Sequence, residues 1–180
     1  MQRRSFADME CPIAGALEQV GEWWTLLILR DVLDGFSRFD ELESNLGIAP
    51  NMLARRLKGL VDGGMLTKVQ YSEHPPRHEY VPTARARELS TVIVALYAWG
   101  NKHVPQRDRR VVLVDGDGRP IDPVLVDRET GRTLRESHAQ FLPGPAASEG
   151  IRRRLDPDLR ATRRSRRERS PAVGSDTDRQ

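Results

Sequence analysis

Cysteine is almost absent from this chain of 180 residues, which contains Cys11 alone. A single cysteine excludes an internal disulfide framework and leaves no cysteine pair to hold a structural zinc ion. Long apolar runs are also missing, because no segment approaches the roughly 20 apolar residues that cross a bilayer. Asp8 and Glu10 stand where a signal peptide would have its apolar core. We therefore expect a cytoplasmic protein without a membrane segment.

Excess positive charge is missing from most of the chain, although the formal net charge is +3. Residues 151–180 hold ten arginines and five carboxylates, whereas residues 1–150 hold 19 basic and 21 acidic side chains. The basic character of the protein therefore belongs to its C-terminal end. Nucleic-acid binding by the remaining residues has to depend on local clusters and not on the total charge.

Apolar residues are concentrated before His103, where they recur at helical spacing. Pro12 suits the first turn of a short helix that Gly21 ends. The helix Trp24–Leu33 is so apolar that we predict it at the centre of the core. Ser37 is a natural N-cap for the next helix.

A sharp turn and a hairpin complete this part of the chain. The segment Leu46–Asn51 predicts a turn that directs a helix beginning at Pro50 outward, as in a helix-turn-helix. After Gly63-Gly64, the β-forming runs Met65–Tyr71 and His78–Val81 predict a two-stranded wing, with His74–Arg77 as its loop. A helix capped by Thr83 then continues to Val104-Pro105. The predicted fold class is mainly α with a small β wing, a winged helix-turn-helix.

The chain changes character after Gln106. The runs Val111–Val114 and Pro123–Val126 predict short strands joined by Asp-Gly turns, which would form a small β-hairpin annex. Beyond about Phe141 the sequence is rich in arginine and poor in apolar residues, which predicts a disordered basic tail. The expected organisation is a DNA-binding and dimerisation domain over residues 1–105, an annex over 106–142 and a disordered tail over 143–180.

The first 105 residues or so resemble the HxlR-type family of bacterial winged-helix transcriptional regulators. The motifs that carry this resemblance are Cys11-Pro12-Ile13, Gly21, Trp24–Arg30, Arg38–Leu42, Ile48-Ala49-Pro50, Leu53, Arg56-Leu57, Gly64-Met65-Leu66, Pro75–Tyr80 and Trp99-Gly100. The resemblance implies a homodimer, joined through its N-terminal and long C-terminal helices, that binds an inverted-repeat operator. It also implies that a cysteine near the N-terminus senses electrophiles or oxidants in some members. Trp23 departs from the family pattern. It could add a contact surface or pack against the first helix, and we expect it to pack.

Several residues are candidates for contact with double-stranded DNA. Asn51, Met52 and Arg55 lie on or beside the outward face of the helix that Pro50 begins, where asparagine can pair with adenine and arginine with guanine. Arg56 and Lys58 lie nearer the edges of this helix and suit phosphate contacts. The alternative is that these side chains form only a solvated helix face. The complete set of predicted DNA contacts is Ser37, Arg38, Pro50, Asn51, Met52, Arg55, Arg56, Lys58, Lys68 and Arg77.

The contacts outside that helix have different physical reasons. Ser37 and Arg38 precede a helix and could bind a backbone phosphate through a hydroxyl, a guanidinium group and the helix N-terminus. Arg77 is predicted at the tip of the wing, from which it could enter a narrow minor groove, and Lys68 adds a phosphate contact. His74 and His78 are close in sequence but have no third ligand in view, so we expect neither a metal site nor a cofactor.

Cys11 is the residue whose side chain could react with an oxidant or an electrophile. It precedes Pro12 at a helix start, where the helix dipole favours the thiolate, although a buried and inert thiol is the alternative. A responsive thiol would make an oxidant or a small molecule the effector. The apolar side chains that one small domain leaves uncovered predict a dimer interface. They are Ile13, Leu17, Leu89, Val92, Ile93, Leu96 and Trp99.

Two other function classes compete with this interpretation. A winged-helix module that binds proteins and has lost DNA affinity would agree with the slightly acidic balance of residues 1–150. A thiol enzyme is poorly supported, because no histidine lies near Cys11 in sequence to act as a base. The sequence therefore favours a DNA-binding regulator that is not an enzyme.

Overall fold

The structure is a computed structural model that describes the backbone of residues 5–169 and the side chains of residues 5–166. Between Ser5 and Asn101 the elements follow the order that the sequence predicts. They are α1 Pro12–Val20, α2 Thr25–Leu33, α3 Phe39–Leu46, α4 Pro50–Asp62, β1 Leu66–Glu73, β2 Pro76–Pro82, α5 Ala84–Glu88 and α6 Ser90–Asn101. A 3-10 turn at Gln106–Asp108 and the helices α7 Glu149–Leu155 and α8 Pro157–Arg169 follow. The winged helix-turn-helix is thereby confirmed.

The core is built around α2, as its apolar sequence predicts. Ile28 and Leu29 of α2 are completely buried, together with Leu42 of α3 and with Leu53 and Leu57 of α4. Each buried side chain of this kind contributes about 1.5–3 kcal/mol relative to exposure. Because three helices share these contacts, the inner face of α4 is fixed and its other face points away from the core.

The wing is an antiparallel hairpin in which Leu66 lies opposite Pro82 and Glu73 lies opposite Pro76. The predicted loop was too long at its C-terminal side, since Pro76 and Arg77 belong to β2. Proline is compatible with the first residue of a strand, where no ladder donor is required. The N–H of Tyr80 donates to the carbonyl oxygen of Ser37 at 2.8 Å. This bond attaches the segment before α3 to the wing.

The helix predicted from Thr83 onward is interrupted once. The Thr83 hydroxyl caps α5 by accepting from the N–H of Ala86, and it donates to the carbonyl oxygen of Gly64 at 2.9 Å. Leu89 separates α5 from α6. Leu89 and Ile93 are half-buried and pack against the core. The core of their own chain thus covers part of each side chain, and their place in the dimer interface stays a prediction.

The annex consists of two minimal hairpins, each with a single β-bridge. Val114 pairs with Pro120, and Val126 pairs with Thr133. The two predicted strands therefore do not pair with each other, since each folds back over a local turn. Gly118 and Gly131 have φ values of +79° and +67°, a region that favours glycine. The Asp-Gly turns were correctly recognised, but the partner of each strand was not.

The described chain divides into two compact units, with the boundary in the sequence between Leu134 and Arg135. The second unit contains α7 and α8, so the prediction of a disordered segment from residue 143 was wrong over these helices. Ser148 caps α7 by accepting from the N–H of Ile151, and Asp156 caps α8 by accepting from the N–H of Leu159 at 2.8 Å. Local capping contributes to the stability of both helices. The last part of the predicted tail, residues 170–180, lies outside the described residues.

Among the described helices, none combines the length and apolar character that a bilayer span requires.

Candidate nucleic-acid interface

The turn between α3 and α4 places one face of α4 in solvent. Gly47 ends α3 in the left-handed region at φ +60°, and the buried side chain of Ile48 anchors the turn. Pro50 then begins α4, as predicted. Asn51, Arg55 and Lys58 are exposed. The structure therefore provides a solvent-facing polar surface on the second helix of the motif.

The exposed cations of α4 have only flexible partners. A guanidinium nitrogen of Arg55 lies 3.2 Å from the sulfur of Met52, and Lys58 forms an ion pair with Asp62 one turn later at 2.5 Å. Both side chains can exchange these partners for DNA at small cost, because a thioether sulfur is a weak acceptor and exposed ion pairs contribute about 0–1 kcal/mol. Met52 is half-buried and packs against the core, so it is less available to a ligand than Asn51 or Arg55.

Arg56 has a structural role that the sequence interpretation missed. Its side chain is only 14% exposed and forms an ion pair with Glu22, in the segment between α1 and α2. Its Nε atom is buried without a hydrogen-bond partner among the described residues. The predicted phosphate contact is not what this geometry provides. Arg56 instead fastens α4 to the preceding helices.

A second buried group holds α2 against α3. The Asp31 carboxylate is buried and accepts from the Nδ2 atom of Asn45 at 2.7 Å and from the Nε atom of Arg30 at 2.8 Å. Buried carboxylates are retained where they are paired and hydrogen-bonded. An aspartate inside a mostly apolar helix is the feature of the sequence that could have indicated this network. This network fixes the first helix of the helix-turn-helix.

The start of α3 is capped differently from the prediction. The Glu41 carboxylate accepts from the N–H groups of Ser37 at 3.1 Å and of Arg38 at 3.0 Å. The helix thus begins at Phe39, and a carboxylate of the protein already accepts from the two N–H groups that precede it. Glutamate three residues after the cap is the usual arrangement of a capping box. The Arg38 guanidinium remains available as a cationic group.

Arg38 is oriented by the wing. Its Nε atom donates to Glu79 at 3.1 Å, and its guanidinium lies 4.6 Å from the ring centre of Tyr71. The hydrogen bond with Glu79 is the main cause that raises the pKa of Arg38, and Tyr71 adds to it. The guanidinium is therefore positively charged at all physiological pH values and is held between α3 and the hairpin.

A groove of about 400 Å³ lies between the start of α3 and the wing. Three cations line it: Arg38, Lys68 and Arg77. Arg77 lies opposite Ser72 within the hairpin and not at its tip, which is formed by His74 and Pro75. The prediction that Arg77 projects from the tip was wrong, but the structure brings it together with the other two cations.

The remaining predicted residues are placed as follows. His74 and His78 belong to no group of metal-ligating side chains within the described residues. Cys11 is the N-cap residue of α1, is half-buried and forms no disulfide. Trp23 is 85% exposed, so the expectation that it packs against α1 was wrong.

The outer faces of α1 and α6 carry exposed apolar side chains. Trp99 is 76% exposed, which is unusual for the largest apolar side chain of a helix. Ile13, Leu17, Val92 and Leu96 are exposed on the same two helices. Five of the seven predicted interface residues therefore lie largely outside the core of their own chain.

These features define a winged helix-turn-helix protein of the transcription-factor class, with an exposed second helix and a cationic groove beside the wing. The model of the HxlR-like helix-turn-helix family matches residues 19–108. The chain belongs to this family, and it is a DNA-binding transcriptional regulator of the winged-helix type. Cys11 precedes the matched residues.

Individual relatives agree with this assignment. The uncharacterised HTH-type transcriptional regulator Rv3095 of Mycobacterium tuberculosis is 38% identical over 74% of this chain and 85% of its own. Among solved structures, PA1374 of Pseudomonas aeruginosa, described as a transcription factor, is 48% identical and covers 81% of this chain and 100% of its own with a TM-score of 0.60. The structure of PA1607, with the same description, is 32% identical over 77% of this chain and 98% of its own, with a TM-score of 0.67.

Proposed function

We propose that this regulator binds an inverted-repeat operator in double-stranded DNA as a homodimer, with α4 in the major groove. The observation that supports this most directly is the exposure of Asn51 and Arg55 on the outward face of α4. Arginine pairs bidentately with guanine and asparagine with adenine. Arg38, Lys68 and Arg77 then contact the phosphate backbone, which positions the helix but carries no sequence information.

The proposed dimer has a physical basis in the apolar faces of α1 and α6. A second copy of the chain would cover Ile13, Leu17, Val92, Leu96 and Trp99. A twofold axis through these helices would present two copies of α4, and an operator with two half-sites reflects that symmetry.

The direct test is operator selection from a random duplex library, followed by affinity measurements with Arg55→Ala. We expect this substitution to cost about 1–3 kcal/mol of binding free energy and to relax the base preference at one position of each half-site. The matched control is Arg128→Ala, which removes an exposed arginine of the annex. If no sequence is enriched and Arg55→Ala binds DNA as the parent does, a protein-interaction module replaces the proposed function.

We also propose that Cys11 makes the regulator responsive to thiol-reactive compounds. Its support is its position as the N-cap residue of α1, where the positive end of the helix dipole favours the thiolate. Modification there would disturb α1 and with it the proposed dimer. The test compares operator affinity before and after treatment with a thiol-alkylating reagent. Equal loss of affinity in the parent and in Cys11→Ser would contradict the proposal.

A further inference from the structure

The helices α7 and α8 concentrate the positive charge of the protein. Residues 149–169 contain nine arginines and four carboxylates, a net charge of +5, whereas the other 159 residues contain 20 basic and 22 acidic side chains. This segment lies beyond residues 19–108, which the family model covers. The charge is therefore an addition to the family domain and not a part of it.

Four arginines of these helices combine exposure with the lack of a carboxylate partner. Arg153, Arg154, Arg164 and Arg166 are exposed, and no ion pair of the described residues involves them. Where arginines of this segment with described side chains donate internally, they donate to neutral carbonyl oxygens, as Arg160 does to Phe141 at 2.9 Å. A carbonyl leaves the charge of the guanidinium uncompensated and most of its donors unused.

The helix α8 has little to bury. Its 13 residues include a single large apolar side chain, Leu159, which is 41% exposed. A helix that is polar on all sides is not stabilised by packing against a core. Thirteen residues extend for about 20 Å, a distance over which a DNA duplex presents roughly a dozen phosphate charges. The length and charge of α8 therefore suit the backbone of a duplex.

We propose that α7 and α8 form a second DNA-binding element that contacts duplex phosphates without regard to sequence. The inference rests on the proposed function. When the winged domain binds DNA, the linked helices α7 and α8 are held close to the duplex, which is then the polyanion at the highest local concentration around them. The element would lengthen the residence of the regulator on DNA and strengthen its salt dependence.

The experiment measures the affinity of the full chain for a duplex without an operator, over a series of salt concentrations. One variant replaces Arg153, Arg154, Arg164 and Arg166 with glutamine, and the matched control replaces the same four residues with lysine. We expect the glutamine variant to show a slope of log affinity against log salt that is shallower by about 0.9 for each phosphate that the helices no longer neutralise. The lysine variant should keep the slope of the parent. Far-UV circular dichroism checks that all three proteins have equal helix content.

An unchanged slope in the glutamine variant overturns the proposal, and so does an equal loss in the lysine variant, because charge would then not be the cause. Tighter binding to single-stranded RNA than to the duplex, abolished in the glutamine variant, also overturns it. Arg55→Ala separates this inference from the proposed function. If no operator can be selected and Arg55→Ala changes nothing, while the glutamine variant still has the shallower slope, the proposed function fails and the second element stands.

Discussion

At the scale of single residues, the ion pair between Arg56 and Glu22 decides how firmly α4 is attached. Arg56 is 14% exposed and Glu22 is 30% exposed, so the pair is partly shielded from water. Leaving a shielded guanidinium without its partner costs more than losing a surface ion pair, because the remaining charge stays desolvated. Arg56 therefore contributes to the stability of the fold through this pair.

Glu22→Gln should lower the free energy of unfolding by about 1–3 kcal/mol, because Arg56 keeps its burial and loses its ionic partner. Urea denaturation followed by circular dichroism measures the change. The control is the double variant Glu22→Met and Arg56→Met, which removes both charges and should recover part of the loss. A double variant less stable than the sum of the single substitutions would contradict this account.

Asp127 offers a second prediction at this scale. Its carboxylate accepts from the Thr130 hydroxyl at 2.7 Å and from the Glu129 N–H at 3.2 Å. The Thr130 hydrogen bond is the main cause that lowers the pKa of Asp127 below its ordinary value. A lowered folded-state pKa means that the turn gains stability above the ordinary pKa near 4 and loses it as the pH falls through the folded value.

Carboxyl NMR titration should therefore show Asp127 protonating at lower pH than a free aspartate. Thr130→Val should move its pKa up towards the ordinary value, because the hydroxyl donor is gone. Thr130→Ser keeps the donor and should keep the low pKa. Equal titration of all three proteins would show that the hydrogen bond has no such effect.

The roles of residues were predicted well where the apolar spacing within one helix determines which face is exposed. They were predicted poorly where the interaction partner lies far away in the sequence. Asn51 and Arg55 are exposed as the spacing of Leu53, Leu57 and Leu60 requires. The sequence around Arg56 does not distinguish it from an arginine that flanks an exposed helix face. Its partner Glu22 is 34 positions away, and only the tertiary fold brings the two together. Asp31 was missed for the same reason.

At the scale of elements, Tyr97 connects the annex to α6. Its hydroxyl accepts from the N–H of Leu113 at 2.9 Å and donates to the carbonyl oxygen of Val111 at 3.3 Å. A hairpin with a single β-bridge is marginal by itself. These two bonds supply an anchor that the hairpin cannot supply alone.

Tyr97→Phe should release residues 111–113 locally, because it removes both hydrogen bonds and leaves the ring in place. We expect amide exchange at Leu113 to accelerate by a factor of about 2–10, which corresponds to about 0.5–1.5 kcal/mol. Hydrogen exchange measured by NMR tests this. Tyr71→Phe, a matched removal of a hydroxyl on the wing, should leave exchange at Leu113 unchanged. No acceleration in Tyr97→Phe would mean that other contacts hold the annex.

The types of the elements were predictable up to Asn101 because the spacing of apolar residues, the capping residues and the glycines all indicate the same helices and strands there. Pro50 begins α4 as its sequence indicates, and the β-forming runs pair as a wing. The interruption at Leu89 has no glycine or proline beside it in the sequence, and Ala86 and Leu89 pack on the core at this point. The helices α7 and α8 were missed because low apolar content was taken as disorder, whereas Ser148 and Asp156 cap them locally.

At the scale of the whole molecule, charge and apolar surface belong to different parts of the chain. The basic residues concentrate after residue 148, whereas α1 and α6 of the winged domain carry the exposed apolar side chains Ile13, Leu17, Val92, Leu96 and Trp99. Exposed apolar patches on a soluble protein mark interaction sites. This separation allows association of the subunits and attraction to DNA to be tested independently.

Leu96→Glu should convert the proposed dimer into a monomer, because Leu96 is 46% exposed on α6 and a charge buried at a twofold interface would occur twice without a partner. Light scattering coupled to size-exclusion chromatography gives the mass. The control Val69→Glu introduces the same charge in place of an apolar side chain of the wing that is 44% exposed. This control should have the same mass in solution as the parent. Operator affinity should fall in Leu96→Glu together with the loss of the dimer, since two linked copies of the chain read the two half-sites. A Leu96→Glu protein that retains the mass of the parent dimer, or a parent that is itself a monomer at micromolar concentration, would exclude α6 from the interface.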